Sequence, residues 1–203
     1  MNKTLKLGLI LGLYAAVSCL CLAIVNNFTS PAIKERALQK EKEGLKIVFS
    51  SATEFTPIEN DLIAQAISLS NENLGSIKID GIYCAQDSNK NILGYVAKIT
   101  GPSYETTSFL LGLDTEQKIT GVHILSTSDS PGYGQKALDP KFQTSKGKTF
   151  YGQFTGLSPL VSFNKNSDYE IISGATITSD GITSMILAGT KVIKSLSNLQ
   201  ATK

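Results

Sequence analysis

The strongest pattern along the chain is an uncharged apolar run at residues 7–25. A helix needs about 20 consecutive apolar residues to cross the hydrocarbon core of a bilayer, so this run is long enough to span it. Lys3 and Lys6 precede the run, and the positive-inside rule then keeps the N-terminus in the cytoplasm. We therefore predict a cytoplasmic segment at residues 1–6, a transmembrane helix at 7–25, and an extracytoplasmic location for the rest.

Two other interpretations of this segment stay open. A cleavable signal peptide has a shorter apolar run and a small-x-small cleavage site, and neither is clear here. The letters AVSC, which end at Cys19, resemble a lipoprotein box. However, Ala16 stands where leucine is usual, and the apolar run continues past the cysteine. A retained anchor is the favoured interpretation, and lipidation of Cys19 remains an open question.

A second helical pattern follows the apolar run. Thr29 or Ser30 is suited to an N-cap, and Pro31 is suited to the first position of a helix. Apolar residues then recur at spacings of about four, with lysines and glutamates between them. We predict a stalk helix within residues 26–50 that leads into a domain at 51–203.

The domain alternates short apolar runs with turn residues, a pattern typical of an antiparallel meander. A short helical pattern near Asp61–Leu69 precedes the strands, and a longer one runs from Ser179 or Gly181 to about Leu199. The fold class predicted for the domain is therefore α+β, an antiparallel sheet with flanking helices. The predicted strands lie at residues 76–86, 92–100, 107–114 and 119–126.

Composition excludes several kinds of function. The net charge is only +2, and the 19 basic residues include a single arginine, Arg36, which argues against nucleic-acid binding. Cys84 is the one cysteine after the apolar run, so the domain contains neither an internal disulfide nor a thiolate cluster for a metal. Cys84 is expected to pack in or beside a strand.

Candidate chemistry concentrates at Glu170–Gly181, with the letters EIISGATITSDG. Small residues and hydroxyls at the start of a helix suit a phosphate, because unpaired backbone N–H groups and the helix dipole both favour an anion there. The stretch lacks the lysine of a P-loop and the histidine of a catalytic triad. An ordinary turn with an N-cap at Thr178 or Ser179 would explain the same letters.

The stretch resembles a motif of one family, the FMN-binding subunits called G in the Rnf electron-transport complex and C in the sodium-translocating NADH:quinone reductase. Members carry an acidic residue, two variable residues, Ser or Thr, and then Gly-Ala-Thr. Here these letters run from Glu170 to Thr176. The resemblance implies that Thr176 is joined to the phosphate of FMN by a phosphoester.

Two further stretches match the same family, in the same order. Gly94–Tyr104 is similar to its glycine-proline strand and turn, and Ile119–Gly134 is similar to a strand followed by a Glu-Thr-Pro-Gly-Leu-Gly loop. The chain departs from the family at four positions: Glu170 replaces Asp, and in the loop Asp129, Ser130 and Tyr133 replace Glu, Thr and Leu.

The resemblance also implies a set of cofactor-binding residues. Tyr104 and Tyr133 are aromatic residues that could stack on or border the flavin ring. The resemblance implies no catalytic residue and no metal, since the bound flavin does the redox work. The implied cofactor-binding residues are Thr176, Ser173, Gly174, Ala175, Ile177, Thr178, Pro131, Gly132, Tyr133 and Gly134.

The function implied is that of an electron-transfer subunit in an ion-translocating oxidoreductase of the bacterial inner membrane, without independent turnover. Its expected partners are the other subunits, membrane lipid and a flavin transferase, and no nucleic acid. Length favours the G-type subunit over the C-type subunit, which is usually longer. A stand-alone membrane-tethered flavoprotein and a pilin-like module with no redox role are the alternatives.

Overall fold

The computed structural model describes residues 3–201, which fall into two compact units divided between Lys42 and Glu43. Helix α1 spans Lys3–Val48, and its residues up to Lys42 form the first unit. The apolar part of α1 is long enough to cross a membrane, and no residue in its most apolar 18-residue stretch is buried.

The predicted start of a new helix at Pro31 is wrong, because α1 continues through it. A proline inside a helix removes one backbone N–H donor and strains the preceding turn. The adjacent Thr29 does not act as an N-cap, and its hydroxyl donates instead to the Val25 carbonyl at 2.9 Å. A helix that extends for several turns on both sides can tolerate the loss of one backbone bond.

The second unit is built on a five-stranded sheet in the order β1-β2-β3-β4-β5, with every neighbouring pair antiparallel. This confirms the predicted meander and the α+β class. The elements are β1 (Glu54–Pro57), α2 (Asn60–Leu69), β2 (Lys78–Gln86), β3 (Ile92–Pro102), β4 (Thr106–Asp114), β5 (Ile119–Thr127) and α3 (Thr176–Ala201), with short 3-10 helices at Gly134–Ala137 and Gly152–Phe154.

Strand β1 is absent from the strands predicted from the sequence. It has four residues, it ends in Pro57, and three of the four are exposed, so it shows no alternation of apolar and polar positions. A proline is tolerated at a sheet edge, where its missing N–H is not required by a neighbour. The pairing of β1 with β2 therefore leaves little trace in the local sequence.

Helix α3 covers one face of the sheet. A Cβ on Gly189 would overlap Ile99 Cδ1, and a Cβ on Gly101 would lie 2.7 Å from Met185 Sδ. Such close approach means that the helix and the strand leave no space for another side chain at these two glycines. The apolar face predicted for this helix is buried, as are its members Ile182, Met185, Ile186, Val192, Ile193 and Leu196.

The end of α1 packs on the opposite face. Leu45, Val48 and Phe49 form a cluster with residues of the sheet, including Val96 and Leu110. Cys84 in β2 is buried, as predicted, and burial raises the pKa of its thiol. The sheet of the second unit is thus covered on both faces.

Candidate functional site

The motif Ser173–Thr176 forms the turn that leads into α3. Gly174 has a φ of +79°, in the left-handed region that favours glycine. The Ala175 N–H donates to the Ile172 carbonyl at 2.9 Å, and the helix begins at Thr176.

The predicted helix start at Ser179 or Gly181 is therefore wrong by about one turn, and Thr178 and Ser179 are not N-caps. Instead, the Ser179 hydroxyl accepts from the Ile172 N–H and donates to the Ala175 carbonyl, both at 3.0 Å. The Ser179 side chain thus bonds both ends of the turn to the start of α3.

The first turn of α3 has an outward side and an inward side. Thr176 and Ile177 are exposed, whereas Thr178 and Ser179 are buried. The first N–H groups of any helix lack partners within the helix, and the dipole places partial positive charge there. The Thr176 hydroxyl therefore lies on the solvent side of the N-terminal end of α3.

The inward side is bound to Asp129, which lies just after β5 and is 0% exposed. One carboxylate oxygen, Oδ2, accepts from the Thr178 hydroxyl at 2.5 Å and from the Tyr104 N–H at 3.4 Å. The other, Oδ1, accepts from the Ser103 hydroxyl at 2.6 Å and the Glu105 N–H at 2.9 Å. Asp129 therefore joins three segments: the β3–β4 turn, its own loop and α3.

Asp129 is ionised at neutral pH. Burial raises the pKa of its carboxyl, but hydrogen bonds from Ser103, Thr178 and the amides of Glu105 and Tyr104 together lower that pKa below its ordinary value. All four donors are uncharged groups. Because these donors are uncharged, they stabilise the buried carboxylate without neutralising its negative charge.

Gly134 fits closely over this junction. A Cβ at Gly134 would lie 2.5 Å from Asp129 Oδ2 and 2.6 Å from Thr178 Oγ1. The loop can therefore approach α3 only with glycine at this position. Gly132, two residues earlier, has a φ of +79° and open space around it, so it supplies a turn.

Above the junction lies a pocket of about 450 Å³. Its large side chains are Tyr104, Tyr133 and Ile177, each about 60% exposed. The Tyr133 ring carbons lie 3.4 and 3.6 Å from the position that a Cβ on Gly174 would take, so the ring covers the glycine of the turn. The lining residues are Tyr104, Ser130, Tyr133, Gly134, Gly174, Ala175, Thr176, Ile177 and Thr178.

The structure brings seven of the ten implied cofactor-binding residues to this pocket, from two segments far apart in sequence. Ser173, Pro131 and Gly132 are exposed and do not line it. The lining residue Ser130 and the buried Asp129 were missing from the implied set. Asp129 stands where the family's loop carries Glu, but its role could not be predicted, because its partners come from the β3–β4 turn and from α3.

Glu170, the acidic residue of the motif, binds the segment near Ser145. Its carboxylate accepts from the Ser145 hydroxyl and, at 2.8 Å, from the Ser145 N–H. These bonds, helped by the charge of Lys146, lower the pKa of Glu170. The Gln153 amide accepts from the Glu170 N–H at 2.7 Å and donates to its carbonyl at 2.9 Å. Glu170, at the start of the motif, is therefore held by hydrogen bonds from two other segments, one at Ser145 and one at Gln153.

Two known families match this chain. Residues 104–190 match the FMN-binding domain, and residues 1–48 match the RnfG N-terminal region. The chain is therefore similar to the RnfG family in its N-terminal region and to the FMN-binding domain in its second unit. The FMN-binding match covers the whole pocket, and the N-terminal match ends where α1 ends.

Several relatives of this chain are named as G subunits. The chain is 28% identical to the G subunit of the Na(+)-translocating ferredoxin:NAD(+) oxidoreductase complex of Acetobacterium woodii, over 95% of this chain and 92% of the relative. It is 26% identical to the G subunit of the ion-translocating oxidoreductase complex of Methanosarcina acetivorans, over 83% of this chain and 82% of that relative. The G subunit of the ion-translocating oxidoreductase complex of Shewanella oneidensis is 31% identical, over 66% of this chain and 63% of that relative.

Among solved structures, the NqrC of Shewanella oneidensis matches 77% of this chain and 74% of its own chain. The identity is 14% and the TM-score is 0.49.

Proposed function

We propose that this protein is the electron-transfer G subunit of an Rnf-type ion-translocating oxidoreductase, and that it carries FMN as a phosphoester on Thr176. The observation that carries the proposal is the position of Thr176. It is an exposed hydroxyl at the first residue of α3, on the lining of a pocket with apolar walls.

The residues present fit the ring of FMN, and Thr176 offers a point of covalent attachment for its phosphate. Tyr104, Tyr133 and Ile177 offer exposed apolar surface of the kind that a flat aromatic ring needs. Gly174 and Gly134 bring backbone to the pocket without side chains of their own. The pocket volume lies within the range of small-molecule sites, roughly 300–1,000 Å³.

The bound flavin supplies the redox chemistry, and the chain's own residues position it. Thr176 holds it covalently, and the bond from Thr178 to Asp129 sets the direction of the helix turn that carries Thr176. In forming the ester, the Thr176 oxygen attacks the phosphorus of the flavin 5′-phosphate in a flavin dinucleotide. The Oγ–P bond forms as the pyrophosphate P–O bond breaks, the nucleoside monophosphate leaves, and the hydroxyl proton passes to the flavin transferase. A separate flavin transferase catalyses that step, so the site needs no catalytic base of its own.

The covalent bond has a physical advantage outside the cytoplasm. A non-covalent cofactor stays bound only in proportion to the free ligand concentration, and a phosphoester removes that dependence. We place residues 1–6 in the cytoplasm, 7–25 in the inner membrane, the stalk at 26–50 and the domain at 51–203 outside. The partners are the other subunits of the complex and membrane lipid. Within that complex, electron transfer through the domain is coupled to ion movement across the membrane.

The test is to co-express the full chain with a flavin transferase and measure intact mass together with in-gel flavin fluorescence. The parent should gain the mass of one FMN phosphoester and fluoresce under denaturing conditions. Thr176→Val should do neither, because it keeps the shape of the side chain but lacks the oxygen. Thr155→Val, at an exposed threonine outside the pocket, is the matched control and should match the parent. Flavinylation of Thr176→Val at the parent level would refute the assignment.

A further inference from the structure

Asp129 is a buried negative charge directly behind the wall of the pocket. It is fully buried, and three of the residues packed around it, Tyr104, Thr178 and Gly134, also line the pocket. One layer of atoms therefore separates this carboxylate from any molecule held there.

Asp129 also lies at the N-terminal end of α3. Its partner Thr178 is the third residue of the helix, and the helix dipole places about half a positive elementary charge at this end. A carboxylate so close to the first turn offsets that positive charge. Anion binding at a helix N-terminus normally depends on the charge remaining unopposed.

The pocket lining supplies no replacement for the lost attraction. Among the lining residues that the structure describes, none is charged, and the polar ones are serine, threonine and tyrosine. A phosphate that enters the pocket therefore meets a neutral surface with a negative charge behind it. At separations of several ångströms and an intermediate dielectric constant, the repulsion between two such charges is large enough to change an affinity about tenfold.

We propose that Asp129 is a resident counter-anion of the α3 N-terminus, so that the pocket recognises the flavin ring but has no affinity for the phosphate. Retention of a flavin nucleotide then depends on the bond to Thr176. Asp129 is a positioning residue with an electrostatic effect: it holds the first turn of α3 and cancels the field that would otherwise bind the nucleotide. This inference rests on the flavin assignment made above for the same pocket.

The experiment compares two probes, FMN and riboflavin, which share the ring and differ in the phosphate. Both are titrated by fluorescence into the full chain in detergent, purified from cells without a flavin transferase and shown by intact mass to be the bare polypeptide. In the parent we expect FMN to bind no more than about threefold more tightly than riboflavin, because the phosphate meets no net attraction. A clear preference of the parent for FMN, on the order of tenfold or more, overturns the proposal.

Two variants separate charge from structure. Asp129→Asn removes the charge and should tighten FMN binding about tenfold, while riboflavin binding stays unchanged. Ser103→Ala removes a hydrogen bond to the same carboxylate but keeps the charge, and Ser103 does not line the pocket, so its ratio of FMN to riboflavin affinity should match the parent. The proposal is overturned if FMN affinity does not change in Asp129→Asn, or if both variants shift the ratio equally. If Asp129→Asn does not fold, the ratio in the parent decides.

The outcome is independent of the flavinylation test. A parent that becomes flavinylated at Thr176 but already prefers FMN strongly would keep the proposed function and lose only the role of Asp129. A parent that is never flavinylated would lose the proposed function, whatever the affinity ratio.

Discussion

Gly134→Ala adds one methyl group at the most closely packed point of the site. The new Cβ would lie 2.5 Å from Asp129 Oδ2, 2.6 Å from Asp129 Cβ and 2.6 Å from Thr178 Oγ1. The backbone at Gly134 does not lie in the left-handed region, so an alanine is not strained by its own φ. The effect should therefore come from the contacts alone.

The magnitude has two parts. Forcing an extra methyl group into a packed interior costs about 1–3 kcal/mol. Displacing Asp129 from Thr178 also weakens a hydrogen bond to a charged group, which is worth about 1.5–3 kcal/mol when lost completely. Partial relaxation of the loop gives an expected loss of about 2–4 kcal/mol. For a protein of this size, that loss lowers the melting temperature by about 5–12 °C.

The assay is thermal unfolding of the full, unflavinylated chain in detergent, followed by circular dichroism. Gly81→Ala is the matched control, because a Cβ at Gly81 meets nothing within 4 Å and the backbone there is compatible with alanine. The control should melt within about 2 °C of the parent, as expected of a change under about 0.5 kcal/mol. If Gly134→Ala also melts within that range, the close packing of Gly134 on Asp129 is refuted.

Three further predictions follow from the same junction and from the proposed topology. Thr178→Val should lower the free energy of unfolding by about 1–3 kcal/mol, measured in urea, because it removes one donor from a buried carboxylate; an unchanged urea midpoint would contradict this. The pKa of Asp129 is lower in the folded state, so its stabilisation is fully present above the ordinary carboxyl pKa and is lost as pH falls through the folded value. Asp129→Asn should therefore lose less stability than the parent as the pH is lowered from neutral to about 3, and parallel losses would show that Asp129 does not contribute. A membrane-impermeant thiol reagent applied to intact cells should label Lys148→Cys but not Asn2→Cys, and the reverse pattern would invert the proposed topology.

Much of the fold is determined by local sequence. The β2–β3 turn forms because Asp87 Oδ1 accepts from the Asn89 and Asn91 amides, at 2.8 and 2.9 Å. In the β4–β5 turn, Asp114 accepts from the amides of Glu116 and Lys118 in the same way, both at 2.9 Å. Such turns depend on residues two and four positions apart, so they can be predicted from the letters alone. The apolar run of α1 and the alternation along the strands are equally local.

The helix starts were predicted less well, because each depends on a competing contact. Pro31 is a good first residue for a helix, yet α1 extends on both sides of it. Thr178 and Ser179 are good N-caps, yet the Ser179 hydroxyl binds Ile172 and Ala175, and the Thr178 hydroxyl binds Asp129. At Pro31 the continuing helix outweighs the local preference, and at Thr178 and Ser179 competing hydrogen bonds do.

The sequence by itself determined the anchor-like helix, the meander and the threonine motif, since each is a pattern within a few turns of the chain. Only the tertiary structure decided that Asp129 lies beneath that motif, 49 residues from its partner Thr178. It also decided that Glu170 binds Ser145, 25 residues away. The physical reason is that these partners are distant in sequence and meet only after the chain has packed. For Asp129, moreover, a buried charge is stable only where several donors converge.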